Sequence, residues 1–202
     1  MGDIHIHARE DASGKQLYKE SFKTAAAAAV HGGVVHVADM PNNPEAPIDD
    51  ASYDDKCSRC SNEEVHFTLY AGIGPQTNPL SKKVPYKAFM GPSVGDLFFR
   101  SAEELEQTIA RYKGCHVSFH CEDPYILEIS KGNATHSERR PRGAANTATA
   151  LALYLIEKYE LKGKPKGKYK DKRKNHKIWI QATSVGGGKV DRVKGIVKNR
   201  PK

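Results

Sequence analysis

Hydrophobic and polar positions along the first 160 residues fall into short apolar runs separated by longer stretches of mixed character. Alternation in Asp3-Ile4-His5-Ile6-His7-Ala8-Arg9 predicts a short strand with Ile4 and Ile6 on one face and His5 and His7 on the other. Residues 10–18, with Gly, Ser and charges, read as a loop. Residues 18–30 read as a helix whose Ala25 to Ala29 offer a small face for close packing, stopped by His31-Gly32-Gly33. Val34-Val35-His36-Val37-Ala38-Asp39 is a buried-type strand ended by Pro41-Asn42-Asn43-Pro44.

The alternation of strand and helix continues. Residues 48–60 form a second predicted helix, residues 65–71 a third strand closed by a Gly72-Ile73-Gly74-Pro75 turn, and residues 84–90 a fourth strand. Ser101-Ala102-Glu103-Glu104 is a helix start of capping-box type, with Ser101 accepting from the backbone and Glu104 reaching back. Residues 116–121 give a fifth strand and residues 146–159 an Ala- and Leu-rich helix. Strand-helix alternation without hairpin signals predicts an α/β fold with a parallel sheet, in which function gathers at the carboxyl ends of strands. His5, His7, Asn42, Lys87 and His120 all fall at or just beyond such ends.

Composition changes this picture at one boundary. The formal charge of the 202 residues is +8, yet residues 1–161 carry 17 Lys and Arg against 22 Asp and Glu, net −5, and residues 162–202 carry 15 against 2, net +13. The cationic character belongs to a tail, so the overall charge is no sign of a nucleic-acid-binding domain. Two units are expected: an α/β domain over 1–161 and a basic, irregular or disordered tail over 162–202, with residues 178–180 able to add one strand. Four unevenly placed cysteines give no disulfide framework, and no apolar run has signal or membrane-spanning length, which leads to the expectation of a soluble, cytoplasmic protein.

Two imidazoles two residues apart on one strand can grip one metal ion. His5 and His7 are joined by Arg9, the turn Asp39-Met40-Pro41-Asn42, the segment Tyr86-Lys87-Ala88-Phe89-Met90-Gly91, and Phe119-His120-Cys121-Glu122-Asp123. In this order and spacing the set resembles the cyclic amidohydrolases, within them most nearly the dihydroorotases. The resemblance implies a (β/α) barrel, of which this length holds a part, about five parallel strands. It also implies two zinc ions bridged by a carbamylated lysine, with a hydroxide between them attacking a cyclic amide carbonyl, the reaction that interconverts dihydroorotate and N-carbamoyl-aspartate in pyrimidine biosynthesis. By motif, His5 and His7 would bind the first zinc, Lys87 would be the bridge and His120 would bind the second. Arg9 and Asn42 would hold the substrate carboxylate, a task for which the planar Arg fork is suited. Arg9 favours dihydroorotate over the neighbouring dihydropyrimidinase and hydantoinase substrates, which lack the ring carboxylate.

The resemblance covers residues 3–160. The family's later His-x-Ser-Thr strand has no counterpart at residues 178–184, where no His stands, and its strand-end Asp, the general base, has no candidate. In the Arg140-Pro141-Arg142-Gly143-Ala144-Ala145-Asn146 segment Ala145 takes the place of an acidic residue. The expectation is therefore a piece of a dihydroorotase-like enzyme. The alternatives are a catalytically inactive barrel piece with a binding or assembly role, and a tail that binds nucleic acid through phosphates. Besides the small-molecule substrate, self-association through an open sheet edge is expected. Gly91 to Asp96 is given no direct role, and Cys57 and Cys60 are read as ordinary helix residues.

Overall fold

The computed structural model describes residues 1–162 and the backbone of Lys164–Pro165. Among these residues the chain runs β1 (Gly2–Ile6), α1 (Phe22–His31), β2 (His36–Asp39), α2 (Asp50–Cys60), β3 (His66–Leu69), β4 (Ala71–Ile73), β5 (Tyr86–Phe89), α3 (Ala102–Ile109, continued by a 3-10 turn Ala110–Tyr112), β6 (Val117–His120), α4 (Pro124–Ser130), α5 (His136–Arg139), α6 (Arg142–Lys158) and β7 (Lys164–Pro165). Every strand pairing is parallel, in the orders β1-β2-β3 and β4-β5-β6-β7. The expected α/β class is what the structure shows. The strands number seven among the described residues, because the third extended stretch is divided at Tyr70 and Lys164–Pro165 adds a short one. The first half of the divided stretch pairs with β2 and the second with β5, so Gly72–Ile73 lies in a strand where a turn was expected.

Local signals explain the helix ends. Ser21 and Thr24 form a capping box that starts α1 four residues later than the sequence suggested, and the Gly32 N–H closes it on Ala28 and Ala29. Asp49 and Ser52 do the same for α2. Ser101 accepts from the Glu104 N–H as expected, but Glu104 reaches past it to the Arg100 N–H at 2.8 Å. Helices α4 and α5 were not foreseen. Asp123 caps α4, with Pro124 in its first turn, and Thr135 and Glu138 box α5. The last helix begins at Arg142, four residues before its expected start.

Strand register sorts the side chains into two faces. Val37, Phe67, Leu69, Ala71, Ile73, Tyr86, Ala88, Val117 and Phe119 follow one another in alternation across the strands, and with Phe22, Tyr53, Leu105, Ile109, Tyr112, Ala148, Ala152 and Leu155 from the helices they make the core. The opposite face carries His36, Ala38, Thr68, Tyr70, Gly72, Lys87, Phe89, Ser118 and His120.

One expectation about β1 is overturned. Asp3 pairs with Val37 but Ile6 with Asp39, so three steps on β1 match two on β2. A bulge inserts one residue, and the Asp3 side chain steadies it by accepting from the His5 N–H at 3.0 Å. Ile6 therefore packs on the core, while Ile4 is 46% exposed on the other face instead of sharing its side. The basic tail from 162 on and the strand considered at 178–180 lie outside the described residues, apart from Lys162 and the Lys164–Pro165 backbone beside β6. No described helix is long and apolar enough to cross a membrane.

Candidate functional site

The bulge in β1 determines how the strand enters its loop. His5 and His7 come out with their rings edge to face, 5.1 Å between centroids, so the expected pairing of these imidazoles is present. His7 Nδ1 donates to Asn42 Oδ1 at 2.7 Å, and Asn42 Nδ2 donates to Ser93 Oγ at 3.4 Å. Because the amide oxygen only accepts, the ring meets Asn42 through its Nδ1–H. Ser93 lies in the segment given no direct role from sequence, and here it orients Asn42.

Arg9 has φ 62, a left-handed conformation unusual for a side chain this long. The turn is held because the neighbouring Ala8 N–H donates to Asp39 Oδ1 at 2.7 Å, and Asp39 Oδ2 is paired with Lys56 Nζ at 2.8 Å. Lys56 also donates to Asn43 Oδ1 at 2.7 Å. The Arg9 guanidinium then reaches the Asn42 carbonyl at 3.1 Å. Burial pulls its pKa below the ordinary arginine value, opposed by the charge of Asp39. Asp39 and Lys56, both buried, are the members of this corner that sequence reading missed. The quoted Asp39-Met40-Pro41-Asn42 turn was the available signal for the first. Nothing in the pattern marks a helix lysine as its partner.

Lys87 and His120 belong to adjacent strands. Lys87 pairs with Ser118 and Phe89 with His120, so the lysine and histidine lie diagonally on the same face. Lys87 is 1% exposed, with Nζ over the Phe89 ring at 5.5 Å. His120 Nε2 donates to Glu122 Oε2 at 2.7 Å, and Arg140 Nη1 donates to the same oxygen. Burial alone would raise the Glu122 pKa, but the hydrogen bonds and charges of His120 and Arg140 outweigh it and bring it down to about 2. Glu122 and Arg140 were quoted only as neighbours of the motifs.

These residues fit a metal in part. Two imidazoles are together and a lysine able to become an oxygen donor is buried within β5, yet among the described residues no three His, Cys, Asp or Glu side chains gather as a metal-holding group. A cavity of about 210 Å³ lies elsewhere on the same sheet face, lined by Ile4, His36, Thr68, Tyr70, His116 and Ser118 among others, and it includes none of the expected ligands.

No protein-family model matches the sequence. Among curated proteins, the chain is 33% identical over 169 residues to a dihydroorotase of Pyrococcus furiosus, covering 76% of this chain and 39% of that one. It is 30% identical over 161 residues to a dihydroorotase of Thermococcus kodakarensis, covering 77% and 36%. The chain thus spans about 40% or less of the length of these relatives. Among solved structures, an L-hydantoinase from Arthrobacter aurescens superposes with TM-score 0.67 at 19% identity, over 81% of this chain and 40% of that one. A Saccharomyces cerevisiae dihydroorotase in complex with 5-fluoroorotic acid gives 0.52 at 14%, over 82% and 46%. The chain is thus similar in sequence to dihydroorotases and shares its fold with these hydantoinase and dihydroorotase structures.

Proposed function

We propose that the chain carries the strand-end part of a dihydroorotase-type active site, interconverting dihydroorotate and N-carbamoyl-aspartate. The observation that supports it best is the corner at Asn42. There the His7 ring and the Arg9 guanidinium, two residues apart, are both fixed on one turn residue, through its side chain and its carbonyl. His5, His7 and Lys87, the last as its carbamate, would hold a first zinc ion, and His120 a second. Bound zinc would supply Lewis acidity and water whose pKa falls to about 7.

The protein's own residues have separate tasks. Arg9 presents a planar fork that can make two parallel bonds to a carboxylate, and its partial burial strengthens them. Asn42 accepts the His7 Nδ1–H and borders the place where that carboxylate would sit. The ion pair of Asp39 with Lys56 keeps the His7-Ala8-Arg9 turn in its strained form, so neither side chain has to be ordered when substrate arrives.

The test is zinc titration of the 202-residue chain, unaltered and with His5→Ala and His7→Ala together, followed by assay on dihydroorotate and on dihydrouracil. Zinc bound by the unaltered chain and lost in the double variant supports the reading. Equal zinc content in both refutes it. Turnover of dihydrouracil in preference to dihydroorotate would move the assignment to the hydantoinase type. A second reading is favoured by the lack of a three-residue His, Cys, Asp or Glu group among the described residues. On that reading the domain is catalytically inactive and serves binding or assembly, and the unaltered chain takes up no zinc.

A further inference from the structure

We propose that the cavity at the amino ends of the strands is a binding site for a small anionic ring compound, a monocyclic carboxylate of the size of benzoate. It is separate from the corner at Asn42 and needs no metal ion. His36 opens β2, Pro85 stands just before β5 and His116 just before β6, and all three line the cavity. Arg9, Asn42 and His120 lie at or beyond the carboxyl ends of β1, β2 and β6, at the opposite end of the sheet.

The sequence makes this cavity by parting the two sheets. The Tyr86 N–H donates to the His116 carbonyl at 2.8 Å, so the residue before it faces the other neighbour, where the Pro85 carbonyl accepts from the Ala71 N–H at 2.9 Å. Pro85 has no N–H to give on that side, and the ladder stops there. The Leu69 carbonyl accepts from the Tyr53 hydroxyl at 3.0 Å, a side chain in place of a strand. Among the described residues β3 is left paired with β2 alone, while β4 turns to β5. Tyr70 stands at the parting and lines the cavity from the face that the core does not occupy.

The lining decides the class of ligand. Ile4, Ala38 and Pro85 give it apolar walls. Thr68, Tyr70 and Ser118 bring hydroxyls and Lys162 an ammonium, and among the described residues no carboxylate lines it. Burial raises the pKa of the Tyr70 hydroxyl against an opposing hydrogen bond with Ser118, so the phenol stays neutral and able to donate. The Lys162 N–H donates to the Cys115 carbonyl at 2.9 Å, which holds the cation beside the entrance to β6. Donors and a cation with no negative charge among them favour an anion. The volume of about 210 Å³ sets the size, since a cavity of about 150 Å³ takes benzene. One ring with one small substituent fits.

The test is NMR titration of the 202-residue chain with benzoate, benzamide and benzylammonium, probes of similar shape and different charge, read at the backbone amides. Benzoate should shift the amides of His36, Thr68, Tyr70 and Ser118 and bind about 10-fold more tightly than benzamide, with benzylammonium weakest. Lys162→Met removes the cation at an exposed position and should erase most of that preference while leaving benzamide binding unchanged. Ile4→Trp fills the cavity from its exposed rim and should abolish benzoate binding. If that variant does not fold, Lys162→Met carries the comparison.

Benzamide or benzylammonium binding as tightly as benzoate overturns the assignment, as does a benzoate preference that survives Lys162→Met. Benzoate shifts confined to Arg9, Asn42 and their neighbours overturn it too, and would instead support the carboxylate role proposed for Arg9. Absence of shifts at the cavity amides up to the solubility limit of benzoate overturns it outright.

Discussion

Lys56→Met is the substitution that most directly tests how the Arg9 corner is held. Lys56 and Asp39 are 3% and 0% exposed, with their charged atoms 2.8 Å apart. At an effective dielectric of about 20 the gross attraction at that separation is on the order of 6 kcal/mol, from which the desolvation of both groups must be subtracted. Methionine keeps the length of the lysine stem and removes the charge. The Asp39 carboxylate is then left with the Ala8 N–H, and Asn43 Oδ1 loses its donor. Breaking one side of a buried pair costs about 3–5 kcal/mol, a large share of the roughly 5–15 kcal/mol that holds a domain together.

The assay is urea unfolding of Lys56→Met, Asp39→Asn and the double variant. The amide introduced by Asp39→Asn retains an oxygen for the Ala8 N–H while shedding the charge, so the double variant should lose at least about 2 kcal/mol less than the two single losses added. Strict additivity, or a Lys56→Met loss under about 1 kcal/mol, would refute the view that this pair fixes the turn between His7 and Arg9.

Three further outcomes are expected. Asp49 caps α2, and hydrogen bonds from Ser52 hold its pKa below the usual carboxylate value. Its contribution is therefore present above about pH 4 and is lost as pH falls through the depressed folded value. Asp49→Ala should cost about 1 kcal/mol near neutrality and nearly nothing once the carboxyl is protonated, read from unfolding curves across that range. Tyr53→Phe removes the buried bond from the Tyr53 hydroxyl to the Leu69 carbonyl, 3.0 Å long, and leaves that oxygen unsatisfied, for a loss of about 1–3 kcal/mol in thermal or urea unfolding. Gly91→Ala sets a methyl against the Glu122 backbone and should cost about 1–3 kcal/mol while broadening or moving the His120 ring signals; unchanged stability and spectra would show that the loop has room to give.

The succession of strands and helices was legible because each core strand presents apolar side chains to the helices, and that burial imprints itself on the sequence as short runs. Two kinds of feature were not. Helices α4 and α5 are short and largely exposed, so no periodic apolar stripe announces them, and their Asp123 and Thr135 caps are common loop residues as well. The β1 bulge was also hidden. Regular alternation predicts Ile4 beside Ile6, whereas the Asp3 side chain bonds the His5 N–H and the extra residue turns Ile4 to the other face.

That bulge shows why the site was half readable. His5 and His7 could be paired from the alternation of one strand, and Lys87 and His120 from the motifs that carry the family resemblance; the register of β5 and β6 puts the latter two on the face of the sheet that the core does not occupy. The groups that hold them in place could not be found that way. Asp39 points with the core residues yet bonds the Ala8 backbone, Lys56 comes from a helix, and Arg140 reaches Glu122 across a loop. Each depends on a contact between distant parts of the chain, with no spacing rule behind it. The position of a candidate ligand is thus a property of one strand, and its orientation is a property of the assembled fold. Variants of Lys56 and Arg140 should accordingly alter how His7 and His120 are presented without replacing either histidine. If ring orientation at both histidines survived loss of those distant partners, orientation would be local after all, and the strand alone would suffice to build the site.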